Sequence, residues 1–535
     1  MPNIDNELLP PEPKVPWGLV LILVIGAFMS VLDTSIVNVA LPRMMAVFGA
    51  SSNDIEWIIT GYMLASGVII PMSGYLCDRF GHRRMYVIAL VIFTLGSAFC
   101  GLAWSTSTII SARIVQALGG GLLVPISMSM LYIIVPKEKS GTALGVWGIA
   151  AVMGPAIGPT LGGYLIDAFS WPWIFMVNIP IGVLAVILSL FFLPETPLQK
   201  DLKPDILGTI FIGVSAFAIL LGLSQGQEKG WSSQYIVTIF ALGIFTLVLF
   251  VLWELSASEP LINMEIFKNP IMPVSLMLVA LTTFLLYSVV YLVPIYAQNL
   301  MGYSPTKTGI LLLPMALVTG IFMLISGKIS DKYGALGVGL LGLIVISIFT
   351  YVLRDLSLVT DYGQLQILLA LRAIGIGLAM MPLANAGMAV VPTHLVGSGS
   401  SAGNLVRQVS GSIGVAFTTY FVSARQSYHL TVLNDQISYS SATAPAIIGQ
   451  LKAYLGMNGI PGDAAHSASL YVIGNLSLRQ AYMNGIDDLF VVLALAALVG
   501  IPLVFMLSKR RVDAQKRKLG IDDLPPSQGS ASLGH

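Results

Sequence analysis

Long apolar runs separated by short polar segments dominate the chain. Reading between charged or Pro/Gly-rich breaks gives runs near 17–40, 56–77, 85–104, 108–135, 141–166, 173–193 and 205–224, then near 235–253, 273–296, 306–326, 336–353, 364–390, 399–424 and 485–507. Each approaches the roughly 20 residues that a helix needs to cross a bilayer core. The runs are continuous, whereas barrel strands alternate apolar and polar positions, so helices are predicted. A helix also satisfies its own backbone polar groups, which lipid cannot do. The pattern therefore predicts an all-α polytopic membrane protein of fourteen spans.

Composition agrees and removes most other function classes. Only 10% of the 535 residues are charged and 56% are hydrophobic, with a mean hydropathy of +0.85, against about 25% charged in soluble domains. The net charge of +1 points to no nucleic-acid partner. Cys77 and Cys100 are the only cysteines and are expected near opposite faces of the bilayer, and the five histidines are scattered, so neither a disulfide nor a metal site is expected. The sequence has no phosphate loop of the Gly-x-x-x-x-Gly-Lys-Ser/Thr type, so ATP is not the expected fuel and no cofactor is predicted. A stretch at Gly397 to Gly403 loosely resembles a nucleophile elbow, but it opens a helix with no strand before it; no enzyme is predicted. Residues Met1 to Lys14 are Pro-rich and acidic, unlike a signal peptide, so the first span is expected to remain as an anchor.

Orientation follows from the basic residues, which favour the cytoplasmic side. With the N-terminus inside, seventeen Lys and Arg fall on the inner side, among them Lys14, Lys137, Lys200 and the Arg79, Arg83, Arg84 cluster, against seven outside. Both termini, 1–16 and 508–535, are therefore expected in the cytoplasm, and the membrane is the cytoplasmic (inner or plasma) one. The segment 425–484 becomes a long extracytoplasmic loop, open to reading as a lid, a docking surface or a tolerated insertion. Arg113, Arg372 and Arg407 fall inside spans.

Internal similarity organises the spans. The loop after the second reads Gly74-Tyr-Leu-Cys-Asp78-Arg79-Phe-Gly81-His-Arg83-Arg84, and the loop after the tenth reads Gly327-Lys-Ile-Ser-Asp331-Lys332-Tyr-Gly334. Two spans later in each case an arginine, Arg113 or Arg372, opens a Gly-rich helix. That helix ends in Val135-Pro136 with Gly141 five residues on, or in Val391-Pro392 with Gly397 five residues on. The division expected is two six-helix halves, 17–193 and 273–507, with two inserted central helices in 194–272. Parallel repeats of this kind are one plan for alternating-access carriers, with substrate bound near the midplane between the halves.

This pattern resembles the major facilitator superfamily, specifically its fourteen-span drug:proton antiporter branch of the Emr/Qac type. The resemblance rests on Leu32-Asp33-Thr-Ser-Ile-Val-Asn38-Val-Ala-Leu-Pro42, the Gly74 to Arg84 loop, the Arg113 helix, Gly148 to Gly163, and Arg407-Gln-Val-Ser-Gly-Ser-Ile-Gly414. It implies the major facilitator fold and export of hydrophobic or cationic small molecules driven by the proton gradient. It also implies that Gly74, Asp78, Arg79, Gly81, Arg83 and Arg84, partly copied at Asp331 and Lys332, form a conformational latch. The copy lacks the trailing arginine pair and is expected to be the weaker latch. Gly148, Gly154, Pro155, Gly158, Pro159, Gly162 and Gly163 match the antiporter motif, which carries the expected direction of transport. In double-membraned bacteria relatives work with a periplasmic adaptor protein, for which the 425–484 loop is the expected contact.

The residues themselves set the candidate chemistry. Asp33 and Arg113 lie at a common depth of roughly 10 Å from the outer interface at 1.5 Å per residue. A charge there normally faces a cavity or a partner. Burial favours a neutral Asp33 and a nearby guanidinium favours a charged one, so Asp33 is either the titrating proton-coupling group or half of a packing pair. Asn38, Trp57, Tyr62, Trp147, Tyr287, Tyr291, Arg372 and Arg407 are candidate cavity residues, the aromatics for stacking on a flat cation. A narrow-range exporter of a metabolite or siderophore-like compound, an importer, and a non-transporting sensor are the competing readings.

Overall fold

A computed structural model describes residues 15–136, 139–196, 198–199, 202–436 and 444–519. Lys14, Lys137, Lys200, most of the N-terminal tail and the chain after residue 519 lie outside the described residues. The N-terminal helices are α1 (Trp17–Phe48), α2 (Ser52–Ile69), α3 (Ser73–Phe80), α4 (His82–Gly101), α5 (Thr106–Ile134), α6 (Ser140–Ala168), α7 (Trp173–Met176) and α8 (Asn178–Phe192). Next come α9 (Ile206–Lys229) and α10 (Gln234–Glu254). The C-terminal helices are α11 (Ile271–Ile295), α12 (Pro305–Tyr333), α13 (Ala335–Val352), α14 (Tyr362–Met388), α15 (Val396–Gln436), α16 (Ala444–Met457), α17 (Gly462–Val499), α18 (Ile501–Val504) and α19 (Lys509–Lys518).

Twelve helices among the described residues are long and apolar enough to cross a membrane, and thirteen if α6, bent by 46° between Pro155 and Ile157, is one span. The remaining expected position, 399–424, is occupied by α15, whose Gly/Ser-rich start and Arg407 keep it less apolar. The bend in α6 has a local cause. Pro159 has no N–H, so the Pro155 carbonyl lacks its helical donor, and Ser35 Oγ of α1 supplies one at 3.1 Å.

Among its described residues, the expected extracytoplasmic loop is largely helical. Helix α15 runs 41 residues and α17 runs 38, about 60 Å each at 1.5 Å per residue, well beyond a ~30 Å bilayer core. The helices continue past the span, and α16 packs on α17.

Close helix packing rests on small residues. A Cβ on Gly119 of α5 would lie 2.5 Å from the Ala89 carbonyl oxygen and the Phe93 nitrogen of α4. Gly119→Val is therefore expected to lower stability by about 1–3 kcal/mol, read as a fall in the unfolding midpoint of purified protein.

Between the N- and C-terminal helices, α6 packs against α12 from the Gly141–Gly327 contact to the Gly163–Thr306 contact. On the opposite side α3 and α5 meet α15, and α9 stands between α2 and α15. Thr60 of α2 and Ser224 of α9 share a hydrogen bond of 3.2 Å, and Gln227 of α9 donates to Ser423 of α15 at 3.3 Å. The inserted helix thus braces a gap between the two groups.

Candidate functional site

Five N-terminal helices converge on Asp33. Its carboxylate accepts from Arg113 in an ion pair, from Gln116 Nε2 at 2.9 Å and from Asn178 Nδ2 at 3.1 Å. Ser97 Oγ accepts from the same two amides, at 2.7 Å from Gln116 and 3.0 Å from Asn178. Gln116 Oε1 in turn accepts from Arg113 at 2.7 Å. Arg113 also donates from Nε to the Ile58 carbonyl at 3.3 Å, and its guanidinium lies 4.2 Å from the Tyr62 ring centroid. Asp33, Arg113, Gln116, Ser97 and Asn178 are all buried. An ion pair out of water is tolerated only when its remaining donors and acceptors are met, and here three donors meet the carboxylate while Nε, Nη1 and the guanidinium face each find a partner.

Neither partner lines the seam between α1 and α6. The next positions of α1 do: Val31, Leu32, Ser35 and Ile36 pack against Gly154, Gly158 and Gly162 of α6. These glycines therefore bring α6 onto the stretch of α1 that holds Asp33. Gly148 faces Met323 and Met381, and Gly163 faces Thr306, both in the C-terminal helices.

The repeated loops share one backbone geometry. Gly81 joins α3 to α4 at φ 91 and Gly334 joins α12 to α13 at φ 86, a region that L side chains rarely adopt. The first glycine of each loop makes a close approach across the groups. A Cβ on Gly74 would lie 2.9 Å from the Gly397 carbonyl carbon, and one on Gly327 would lie 2.6 Å from that of Gly141. Each loop thus docks on the first turn of a helix in the other group, at the glycine that follows the repeated Val-Pro.

The chemistry of the two docks differs, and the loop expected to be the weaker latch carries the carboxylate bonds across the interface. Asp331 accepts from Gly141 N at 2.9 Å, Thr142 N at 3.1 Å and Thr142 Oγ1 at 3.0 Å, a carboxylate on exposed helix N–H groups. Asp78 makes no such bond to α15; Ser401 Oγ instead accepts from Gly74 N at 3.0 Å and bonds Ser73 Oγ at 2.8 Å. Ser398, the counterpart of Thr142, accepts from Asn263 N. Nor do the trailing arginines cross the interface: Arg79 donates to the Leu202 carbonyl, Arg83 to that of Leu190, and Arg84 sits 3.6 Å from Glu195. Lys332 offers its carbonyl to Lys509 Nζ at 2.7 Å, which places α19 at this same end.

The candidate cavity residues divide. Tyr287, with Val152, Pro155, Leu286, Val290, Leu312 and Met315, lines a narrow cleft between the groups with a cavity volume of about 20 Å³. Asn38 is exposed one turn from exposed Thr34 on α1, Trp57 is exposed on α2 and Tyr291 is half-buried. Three expectations need correction. Tyr62 is buried with its ring against Arg113; Trp147 is buried and donates to Ser127 at 2.9 Å. Arg372 is sealed among the C-terminal helices, donating to Thr350 Oγ1 at 2.9 Å and the Leu285 carbonyl at 2.7 Å. Arg407 does cross the interface, reaching Met128 of α5.

Sequence reasoning missed Ser97, Gln116 and Asn178. Gln116 was findable, being one turn from Arg113 on the same helix face. It also missed acids near the C-terminal span: Asp488 of α17 accepts from Arg425 at 2.5 Å and meets His429 Nε2 at 2.8 Å. No group of metal-ligating side chains is found among the described residues.

The family model described as Major Facilitator Superfamily matches residues 23–415. The chain is 33% identical over 506 residues to the uncharacterized MFS-type transporter YhcA of Bacillus subtilis (strain 168), covering 94% of this chain and 95% of that one. It is 28% identical over 495 residues to the multidrug export protein EmrB of Haemophilus influenzae, covering 92% and 95%. Among solved structures, the human organic anion transporter MFSD10 aligns with a TM-score of 0.56 at 12% identity, over 92% of this chain and 100% of that one.

Proposed function

Because the chain belongs to the Major Facilitator Superfamily, and so is a multi-pass membrane transporter, we propose that it is a proton-driven exporter of amphipathic compounds, working by alternating access. The observation that carries this reading is the buried Asp33 carboxylate, held by Arg113, Gln116 and Asn178 directly behind the α1–α6 seam. In this reading a proton on Asp33 removes the charge that holds Arg113. The pair loosens, α1 shifts against the glycine face of α6, and α6 carries the shift to its first turn, where Asp331 docks. The same contacts run in reverse when the proton leaves. Export is the direction because the glycine face matches the antiporter motif. The membrane is the cytoplasmic one, with both termini inside, and an adaptor protein would meet the helical extension of α15 to α17.

The test begins with growth protection by the expressed protein against dyes, biocides and antibiotics. A protective compound is then added to inside-out vesicles with a respiration-generated acid interior. Proton release from the lumen is expected within the mixing time, and its absence for every protective compound would exclude antiport.

A further inference from the structure

Of the three arginines inside the spans, two are bonded within their own helix group. Arg113 is paired with Asp33, and Arg372 is bonded to Thr350 and the Leu285 carbonyl. Arg407 is different. It projects from α15 across the interface, and only Nη1 makes hydrogen bonds, to Asn404 Oδ1 at 3.1 Å and to the Met128 sulfur at 3.2 Å. A thioether is a weak acceptor. The Nε–H is buried with no acceptor at all, and no carboxylate lies within ion-pair distance among the described residues. A second orphan faces the same place: the Tyr132 hydroxyl on α5 is buried without a partner, and Tyr132 and Tyr287 both lie within electrostatic reach of the guanidinium.

An uncompensated charge within a span costs on the order of 2.5–3.5 kcal/mol, and an orphaned buried donor adds to that. The position is one residue removed from the narrow cleft between the groups. One turn beyond Arg407, Gly411 packs on the Tyr287 ring, which lines the space between α6, α11 and α12. Donors from both helix groups meet there beside an apolar, aromatic wall.

We propose that Arg407, with the Tyr132 hydroxyl facing it across the interface, receives an anionic head group of the transported compound, while its apolar body lies along Tyr287 and the neighbouring aliphatic wall. The proposal rests on the export reading above and narrows its substrate class to amphipathic organic anions. The guanidinium repels the cations that the aromatic residues had suggested. Arg offers a planar fork matched to a carboxylate or sulfonate, and a ligand bonded from both groups is released when they part.

Binding to purified full-length protein separates this from the coupling mechanism. The probes are dansyl-4-aminobutyrate and dansylcadaverine, which share a fluorophore and differ in head-group charge. The anionic probe is expected to bind the wild type on the order of tenfold tighter than the cationic one. Arg407→Gln is expected to weaken the anionic probe by a similar factor and leave the cationic probe unchanged or tighter. Arg407→Lys should keep part of the preference, and Tyr132→Phe should weaken the anionic probe severalfold. If Arg407→Gln does not yield folded protein, the Lys and Phe variants carry the decision. A wild type that does not prefer the anionic probe, or variants that leave the preference intact, overturns the proposal. Loss of proton release in vesicles with anion preference intact would instead sink the antiport reading alone.

Discussion

Asp33→Asn is expected to abolish proton-linked export and to lower thermal stability together, with the two effects separable. The substitution keeps the shape of the side chain and removes its charge, leaving the Arg113 guanidinium buried beside Gln116, Asn178 and Ser97, none of which carries a negative charge. Removing one partner of a buried pair costs about 3–5 kcal/mol, so the unfolding midpoint of the purified protein should fall by several degrees. Arg113→Gln alone should cost a similar amount, because Asp33 then remains without its cation. In the double variant the two losses should not add: a coupling on the order of 2 kcal/mol or more is expected, since neither charge is stranded. Export should stay at background in the double variant even as stability returns. That dissociation separates a coupling carboxylate from a packing pair. An Asp33→Asn protein that still released protons on substrate addition would leave Asp33 and Arg113 with a structural role only.

How much of this was legible in the sequence depended on distance along the chain. Gly81 and Gly334 were recognisable as a repeat, and the structure shows why each is glycine: both join two helices at positive φ. Asp33 and Arg113 could be placed at a common depth from helix rise alone. What could not be read was which surfaces meet. The loops pair with Gly141 and Gly397, themselves visible repeats, but nothing in either half says that each loop docks on the other half. Which aspartate bonds across the interface was hidden for the same reason, because docking depends on what stands opposite: Thr142 for Asp331, and a Ser398 turned toward Asn263 for Asp78. Ser97, Gln116 and Asn178 escaped notice because neutral polar residues are ordinary in apolar helices, and only their convergence on one carboxylate distinguishes them.

The Gly327 and Asp331 dock supports the second large expected effect. Gly327→Val should force α6 and α12 apart where Gly141 and Gly327 touch, because the added carbons would meet backbone rather than a flexible side chain. The end of the bundle bearing both loops should then open, and transport should stop because the carrier can no longer close there. Asp331→Asn acts on the same joint more gently, weakening three hydrogen bonds to an ionised acceptor, each contributing about 1.5–3 kcal/mol when the acceptor is charged. Asp78→Asn should shift the joint less, because Asp78 makes none of these bonds. Spin labels on cysteines introduced at Arg84 and Lys328, with Cys77 and Cys100 replaced by serine, would report the separation at this end. The distance distribution should move fully to longer values for Gly327→Val, become a two-state mixture for Asp331→Asn and change little for Asp78→Asn. The reverse order for the two aspartates would mean that the Asp78 loop governs closure, and an unmoved distribution for Gly327→Val would mean that α6 and α12 do not separate at this end during the cycle.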